Sequence, residues 1–507
     1  MPVGAASKPE RLAVNILFIT LDQFRGDCLS VAGHPVVRTP HLDRLARQGV
    51  RFTRHYSQSA PCAPGRACLY TGTYSLTNRV VANGTPLDDR FDNLARAARR
   101  AGYSPTLLGY TDQSIDPRCA NGPTDRRLWT FQGVLPGFDV ELHLPEDHAA
   151  WCVWLKQLGY EIPSDPEQVL VGESTRPEAH SVSAFLTDRL LEWIERQDGP
   201  WFAHASYYRP HPPYVAGGRW ARAYDPAEVP APIPPAAVRH PFLDVVAHHP
   251  VTGAPPDARA QREIIAQYYG MVSEVDEQLG RVWDTLHRRA QWDDTFIVVT
   301  SDHGEQLCDH GLIQKLGFLE ASYHVPLIMR DPRHSSAHGT SVEAFTENVD
   351  LFPTLCEVMG IEVPAQCDGL PLTPFLRAEP PPWWREAAHW EFDWRAVYLP
   401  HVAPQWPWDR NLEHQHLAVL RTATAAYVQF GDGSWCAFDL AADPTWRTAL
   451  TDPTAVLGLA QAMLVWRSTH AERTLTGLLL ADGGVGRWPP MPSAWGARVD
   501  PPTGGDT

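Results

Sequence analysis

Ala13-Val14-Asn15-Ile16-Leu17-Phe18-Ile19-Thr20-Leu21-Asp22 is the stretch that decides the fold. The run to Leu21 is almost continuously apolar, as in a parallel strand buried on both faces. A second such run, Phe296-Ile297-Val298-Val299-Thr300, lies far downstream. Helical periodicity fills the space between. Pro40 to Gly49 reads as a helix, with Thr39 as N-cap and Gly49 as stop. Phe91 to Gly102 is another, followed by a strand-like Ser104 to Tyr110. Ser181 to Gln197 carries Phe185, Leu186, Leu190, Leu191 and Ile194 at helical spacing and precedes a strand-like Trp201 to Ser206. Glu263 to Arg289 is a long helix. Helix alternating with buried strand predicts an α/β fold: a large, mostly parallel sheet flanked by helices.

The pattern changes toward the C-terminus. Around Ile361 to Pro382 it breaks into proline-rich turns, and from His389 to Leu440 the segments are short and polar, as in a small antiparallel sheet. Ala455 to His470 reads as a closing helix. The expected organisation is a catalytic α/β domain over 1–375, an α+β subdomain with the antiparallel sheet over 376–484, and a Pro/Gly-rich tail or oligomerisation arm over 485–507. No internal repeat is visible.

At 507 residues the chain can bury a large core. Its 43 Lys+Arg against 59 Asp+Glu give a formal charge of -16, which argues against nucleic-acid and anionic-membrane partners. Small anionic substrates feel only the local site and stay open. The nine cysteines have no paired spacing, so neither a disulfide framework nor a Cys₂–Cys₂ zinc site is expected. Met1 to Arg11 has no long apolar segment, and Val14 to Leu21 is too short to span a bilayer. A soluble, cytoplasmic protein is the expectation. The 47 prolines accompany 19 Trp and 17 Phe, which points to ordered turns rather than disorder.

Asp22 follows the first buried strand directly, and Asp302 and His303 follow the second. In open α/β sheets functional groups gather at the carboxyl ends of strands, so these three are candidate metal ligands.

The run Ser59-Ala60-Pro61-Cys62-Ala63-Pro64-Gly65-Arg66-Ala67-Cys68-Leu69-Tyr70-Thr71-Gly72 resembles the Cys-x-Pro-x-Arg signature of type I sulfatases and their relatives in the alkaline phosphatase superfamily. Ser301-Asp302-His303-Gly304-Glu305 is similar to the second metal-ligand motif of that family. The likeness runs from Asn15 to about Asp452. It implies an alkaline-phosphatase-like fold and oxidation of Cys62 to formylglycine, whose hydrate is the nucleophile. It also implies one divalent cation held by Asp22, Asp302, His303 and the modified Cys62. Two carboxylates and one imidazole favour manganese or zinc over calcium.

Ordinary sulfatases carry Asp-Asp after the first strand, where this chain has Asp22-Gln23. They carry Gly-Lys-x-His where it has Gly109-Tyr110-Thr111-Asp112. Gly-Tyr-Thr followed by Asp116-Pro117-Arg118 resembles the phosphonate monoester hydrolase/phosphodiesterase branch. The resemblance implies Tyr110 and Asn83 as substrate contacts, with no role assigned to Asp112; Gln23, being neutral, is either a weak metal ligand or a contact to substrate or nucleophile. Arg209-Pro210-His211-Pro212-Pro213-Tyr214 resembles the family's His-x-Pro-aromatic loop, which makes His211 the general acid. Lys315 stands at the family's spacing to meet a substrate oxygen, and Arg66 would hold the aldehyde hydrate. The expected activity is cleavage of small phosphonate monoesters and phosphodiesters, with promiscuity toward sulfate esters. The alternatives are an arylsulfatase or choline-sulfatase-like enzyme, and a binding protein with an unmodified Cys62. A formylglycine-generating enzyme is an implied partner, and a homo-oligomer, tetramer or dimer, is expected.

Overall fold

In the computed structural model the first apolar run becomes strand β1, Asn15–Leu21, with every residue buried. The structure describes residues 14–237, 239–379, 381–395, 414–472, 478–481 and 484–487. The other strands, in chain order, are β2 (Val50–Tyr56), β3 (Ser59–Ala60), β4 (Pro105–Gly109), β5 (Asp139–His143), β6 (Phe202–Tyr207), β7 (Thr295–Thr300), β8 (Leu327–Arg330), β9 (Thr340–Glu347), β10 (Ala387–Asp393), β11 (His416–Thr422), β12 (Ala425–Phe430) and β13 (Trp435–Asp439). An eight-stranded sheet has the order β5-β4-β6-β1-β7-β8-β2-β9. Its central neighbours β4, β6, β1 and β7 are parallel, whereas β8 is antiparallel to both β7 and β2. The parallel run brings the carboxyl ends of β1, β4, β6 and β7 to one edge, so Asp22, Tyr110, Tyr208 and Ser301 emerge side by side.

Helices cover both faces. Leu17, Ile19 and Leu21 pack with Leu279, Val282 and Trp283 of the Ala258–Arg288 helix, and Ile16 and Phe18 pack on the other face with Ala63, Ala67 and Tyr70 of the Cys62–Thr71 helix. Each fully buried side chain of this size contributes about 1.5–3 kcal/mol, so the five large apolar residues of β1 are a sizeable part of the core. The α/β architecture expected from the sequence, a large, mostly parallel sheet flanked by helices, is thus present.

The second sheet has the order β13-β12-β11-β10-β3. It is antiparallel except at its edge, where β3 pairs in parallel with β10 through Ser59 opposite Glu391 and Ala60 opposite Phe392. The sheet therefore ends on the two residues that precede the Cys62 segment. The Pro453–Thr469 helix buries Val456, Met463 and Trp466 against it, and Trp466 stacks on His389 with ring centroids 4.3 Å apart. Residues 478–481 and 484–487 form a two-stranded hairpin. The rest of the 485–507 arm lies outside the described residues.

The Pro40–Arg47 helix departs from expectation at its start. Thr39 occupies the N-cap position, but its side chain makes no cap bond and instead accepts from the Ser30 amide at 2.9 Å. The free amides of His41 and Leu42 donate to the Asp276 carboxylate at 3.1 and 2.7 Å, a tertiary cap from the long helix. Among the described residues no helix is long and apolar enough to cross a membrane.

Candidate active site

Three elements meet at the carboxyl edge of the large sheet. Asp22 leaves β1, Asp302 and His303 leave β7, and Cys62 opens the Cys62–Thr71 helix. One ligand atom from each of these four residues lies within 4.8 Å of the others, and all four residues are buried. Gly65 makes the approach possible. A Cβ there would lie 2.6 Å from the Asp302 carbonyl oxygen and 2.9 Å from that of Ser59. Only glycine lets the helix start sit this close to the β7 end.

His303 turns a ring nitrogen lone pair toward the cluster. Its Nδ1–H donates to the Gly304 carbonyl at 3.1 Å, which leaves the Nε2 lone pair facing inward. Nε2 then lies 3.2 Å from Cys62 Sγ, 3.8 Å from Asp22 Oδ1 and 3.7 Å from Asp302 Oδ2. Two carboxylates, a bare imidazole nitrogen and residue 62 form a donor set that fits a divalent ion. Asp112 Oδ1 is buried nearby without a hydrogen-bond partner among the described residues.

Arg66 ties the cluster together. Its Nε donates to Asp302 Oδ2 at 2.9 Å and Nη2 to Asp22 Oδ2 at 3.1 Å. Nη1 donates to Ser206 Oγ at 2.9 Å and to the Tyr110 carbonyl at 3.1 Å. The guanidinium carbon lies 4.3 Å from the Tyr110 ring centroid. Arg66 Nε also stands 3.9 Å from Asp112 Oδ2. Burial would raise the Asp22 carboxyl, but the charges of Arg66, His303 and Lys315 outweigh it and hold Asp22 below its ordinary value. Asp112 follows its burial instead and is pushed up to about 8. Burial and the neighbouring Asp22 push the Cys62 thiol well above its ordinary value, so this environment does not favour a thiolate.

The predicted substrate side chains are brought to the same place. Tyr110 Oη donates to Asp22 Oδ2 at 2.6 Å. Asn83 Oδ1 accepts from the Ala63 amide at 3.0 Å and so caps the helix that Cys62 opens. Lys315 Nζ donates to Gln23 Oε1 at 2.7 Å and to His211 Nε2 at 2.9 Å. His211 in turn donates Nδ1–H to the Pro212 carbonyl at 2.8 Å. Burial and the Lys315 ammonium push the His211 imidazole well below its ordinary value, so it rests neutral. Burial would lower Lys315, but Cys62, Asp22 and Asp302 together raise it.

The family model described as Sulfatase matches residues 14–361. The chain belongs to the sulfatase family. A second model, N-sulphoglucosamine sulphohydrolase, C-terminal, matches residues 308–463 of this sulfatase-family chain. A multifunctional alkaline phosphatase superfamily protein of Trinickia caryophylli is 37% identical over 91% of the chain and 96% of its own length. The phosphonate monoester hydrolase of Agrobacterium radiobacter superposes with a TM-score of 0.87 at 39% identity, covering 94% of this chain and 100% of that one. That of Silicibacter pomeroyi gives 0.86 at 35%, over 94% and 99%. A choline-sulfatase of Rhizobium meliloti is 28% identical over 86% of the chain and 82% of its own length.

Several site residues of this sulfatase-family chain escape a sequence reading. Glu305 accepts from Gln23 Nε2, and Arg209 pairs with Glu173 while donating to the carbonyls of His211 and Pro213 at 2.8 and 3.0 Å. Glu305 and Tyr214 close the motifs that contain His303 and His211, which was the one signal for them. Glu173 and Ser206 carry no local signal and join the site only through tertiary contacts.

Proposed function

We propose that this sulfatase-family enzyme hydrolyses phosphonate monoesters and phosphodiesters, and sulfate esters less well, through a formylglycine made from Cys62 by a formylglycine-generating enzyme. The observation that carries this reading is the likeness, over 94% of the chain, to two phosphonate monoester hydrolases. Tyr110 supports it, because it stands on Asp22 and under Arg66 where ordinary sulfatases carry lysine. The raised Cys62 thiol also favours a converted residue 62 over a working thiolate.

Asp22, Asp302, His303 and residue 62 would hold one divalent ion, manganese or zinc ahead of calcium, which would supply positive charge and lower the pKa of a nearby hydroxyl. A hydrate hydroxyl of residue 62 gives up its proton and its oxygen attacks phosphorus in line, while the bond from phosphorus to the leaving alcohol or phenol oxygen breaks with its electron pair on that oxygen. Lys315 meets a non-bridging oxygen, with Tyr110, Asn83 and Gln23 lining the site around it. His211 Nε2 accepts a hydrogen bond from Lys315, so a proton bound for the leaving oxygen belongs to the Lys315–His211 pair as a unit. The second hydrate hydroxyl then loses its proton. Its carbon–oxygen double bond forms, the bond to the phosphorus-bearing oxygen breaks with the electron pair on that oxygen, and the aldehyde returns.

The test is kcat/KM for the nitrophenyl esters of phenylphosphonate, a phosphodiester and sulfate, measured side by side on protein supplied with manganese or zinc. Phosphonate and diester should lead. Sulfate in the lead would favour the second reading, a sulfatase, for which the choline-sulfatase relative speaks. Mass spectrometry of the Cys62 peptide should show the aldehyde, and Cys62→Ala should abolish turnover with an unchanged melting temperature.

A further inference from the structure

The amide of Gln23 has a fixed direction, and the group that fixes it is Glu305. Gln23 follows β1 in the left-handed backbone region, at φ 67, and is fully buried. Its backbone is held on both sides: the amide donates to Asp302 Oδ1 at 3.3 Å, and Tyr268 Oη donates to its carbonyl at 2.7 Å. The side chain then bridges two groups of opposite character. On one side Gln23 Nε2 donates to Glu305 Oε2 and to Gln314 Oε1, the latter at 3.2 Å. On the other, Oε1 accepts from Lys315 Nζ at 2.7 Å. An ammonium can only donate, and a carboxylate can only accept. Reversing the amide would set donor against donor at Lys315 and acceptor against acceptor at Glu305.

Glu305 is itself immobilised. Oε1 accepts from the backbone amides of Leu307 at 2.7 Å and Gln314 at 2.8 Å. Oε2 accepts from Gln23 and from Tyr214 Oη, the latter at 3.0 Å. Four donors from four separate positions fill this fully buried carboxylate. One of them, Tyr214, closes the His211 loop, and another belongs to Gln314, the neighbour of Lys315. Glu305 thus touches both segments that carry the proton-handling pair, and through Gln23 it sets where the Lys315 ammonium rests against His211 Nε2.

We infer that Glu305 is a positioning residue for Lys315: it locks the Gln23 amide so that Oε1 receives the ammonium and holds it against His211 at the substrate oxyanion. The inference rests on the proposed reaction for its catalytic meaning, but the hydrogen-bond chain is the same whichever ester is cleaved.

The experiment compares wild type, Glu305→Gln and the double variant Gln23→Glu/Glu305→Gln. In Glu305→Gln the new side chain can keep both backbone contacts through its oxygen but presents an NH₂ to Gln23. The Gln23 amide must then reverse and turn its own NH₂ on Lys315. In the double variant a carboxylate at position 23 accepts from the amide at position 305 and from a reversed Gln314 amide on one side, and from Lys315 on the other, so the polarity of the chain is restored with the same net charge. Two readouts are taken: kcat and KM on the ester that wild type turns over fastest, and the Kd of inorganic phosphate by calorimetry. Glu305→Gln should lose about 10- to 100-fold in kcat/KM, the scale of an ångström-level misplacement of a catalytic group. It should bind phosphate correspondingly weaker, and the double variant should recover at least half of that loss on a logarithmic scale. Wild-type values in the single variant would overturn the inference. So would a loss that the double variant does not recover, because that would make Glu305 a structural residue only. Failure of the proposed reaction is distinguishable: wild type would then turn over none of the phosphorus esters, while the phosphate Kd would still report on the chain from Glu305 to Lys315.

Discussion

Replacing Arg66 by methionine removes a guanidinium that serves both Asp22 and Asp302, and the cost follows from its contacts. Arg66 is fully buried, and so are the carboxylates it joins. Methionine fills similar volume but leaves those charges without their counter-ion, and breaking a buried pair in this way costs about 3–5 kcal/mol. Ser206 and the Tyr110 carbonyl also lose a donor, at about 1 kcal/mol each. A chain of this length has an unfolding entropy on the order of 1 kcal/mol/K, so the chelated variant should melt about 5 K below chelated wild type. A divalent ion placed among the same carboxylates offsets part of the missing charge. Adding manganese should therefore raise the melting temperature of Arg66→Met more than that of wild type. The assay is a thermal melt of both proteins in chelator and in manganese. A chelated variant within about 1 K of wild type, or an equal manganese response in the two proteins, would refute the reasoning.

Three further outcomes are expected. Asp112 is pushed up to about 8 from an ordinary 3.8, so as pH rises the unfolded chain gives up this proton first, and the stability that Asp112 lends in its protonated form is lost between those two values; Asp112→Asn should flatten the fall in melting temperature of chelated protein from pH 5 to 8, and an unchanged slope would contradict this. Gly65→Ala places a methyl 2.6 Å from the Asp302 carbonyl oxygen, and the displacement of residue 62 should lower kcat/KM by about 100-fold, read in the same ester assay. Tyr110→Phe removes the 2.6 Å donor to Asp22 and should lower kcat/KM by about 10- to 100-fold, more for the phosphonate than for the sulfate ester; an equal loss on both substrates would deny Tyr110 a part in selecting between them.

Much of the site was legible because parallel sheets impose a simple rule. Asp22 stands directly after a run that is apolar on both faces, and Asp302 and His303 stand just past another, and such runs mark the strands whose ends gather functional groups. The expected helices at Pro40, Phe91, Ser181 and Glu263 all form, with ends displaced by a few residues. Legibility fails where a partner comes from far along the chain. Asp276 caps a helix more than two hundred residues earlier, and Thr39, the local candidate, bonds Ser30 instead. β2, β5, β8 and β9 are short, half-exposed or edge strands, and their patterns do not separate them from loops.

The sequence by itself determined the chemistry available: a Cys-x-Pro-x-Arg helix start, carboxylates and an imidazole after buried strands, and Tyr110 and Asp112 where lysine and histidine stand in ordinary sulfatases. These are local facts, carried by hydrophobic period and by motif. Only the tertiary structure decided how the groups are poised. It gave Arg66 to Asp22 and Asp302 together, aimed the His303 lone pair inward by giving its other nitrogen to Gly304, joined β3 to the second sheet, and set Glu305 behind Gln23 and Lys315. The physical reason is that burial makes each polar atom find a complementary partner, and in this fold those partners come from strands and loops hundreds of residues apart.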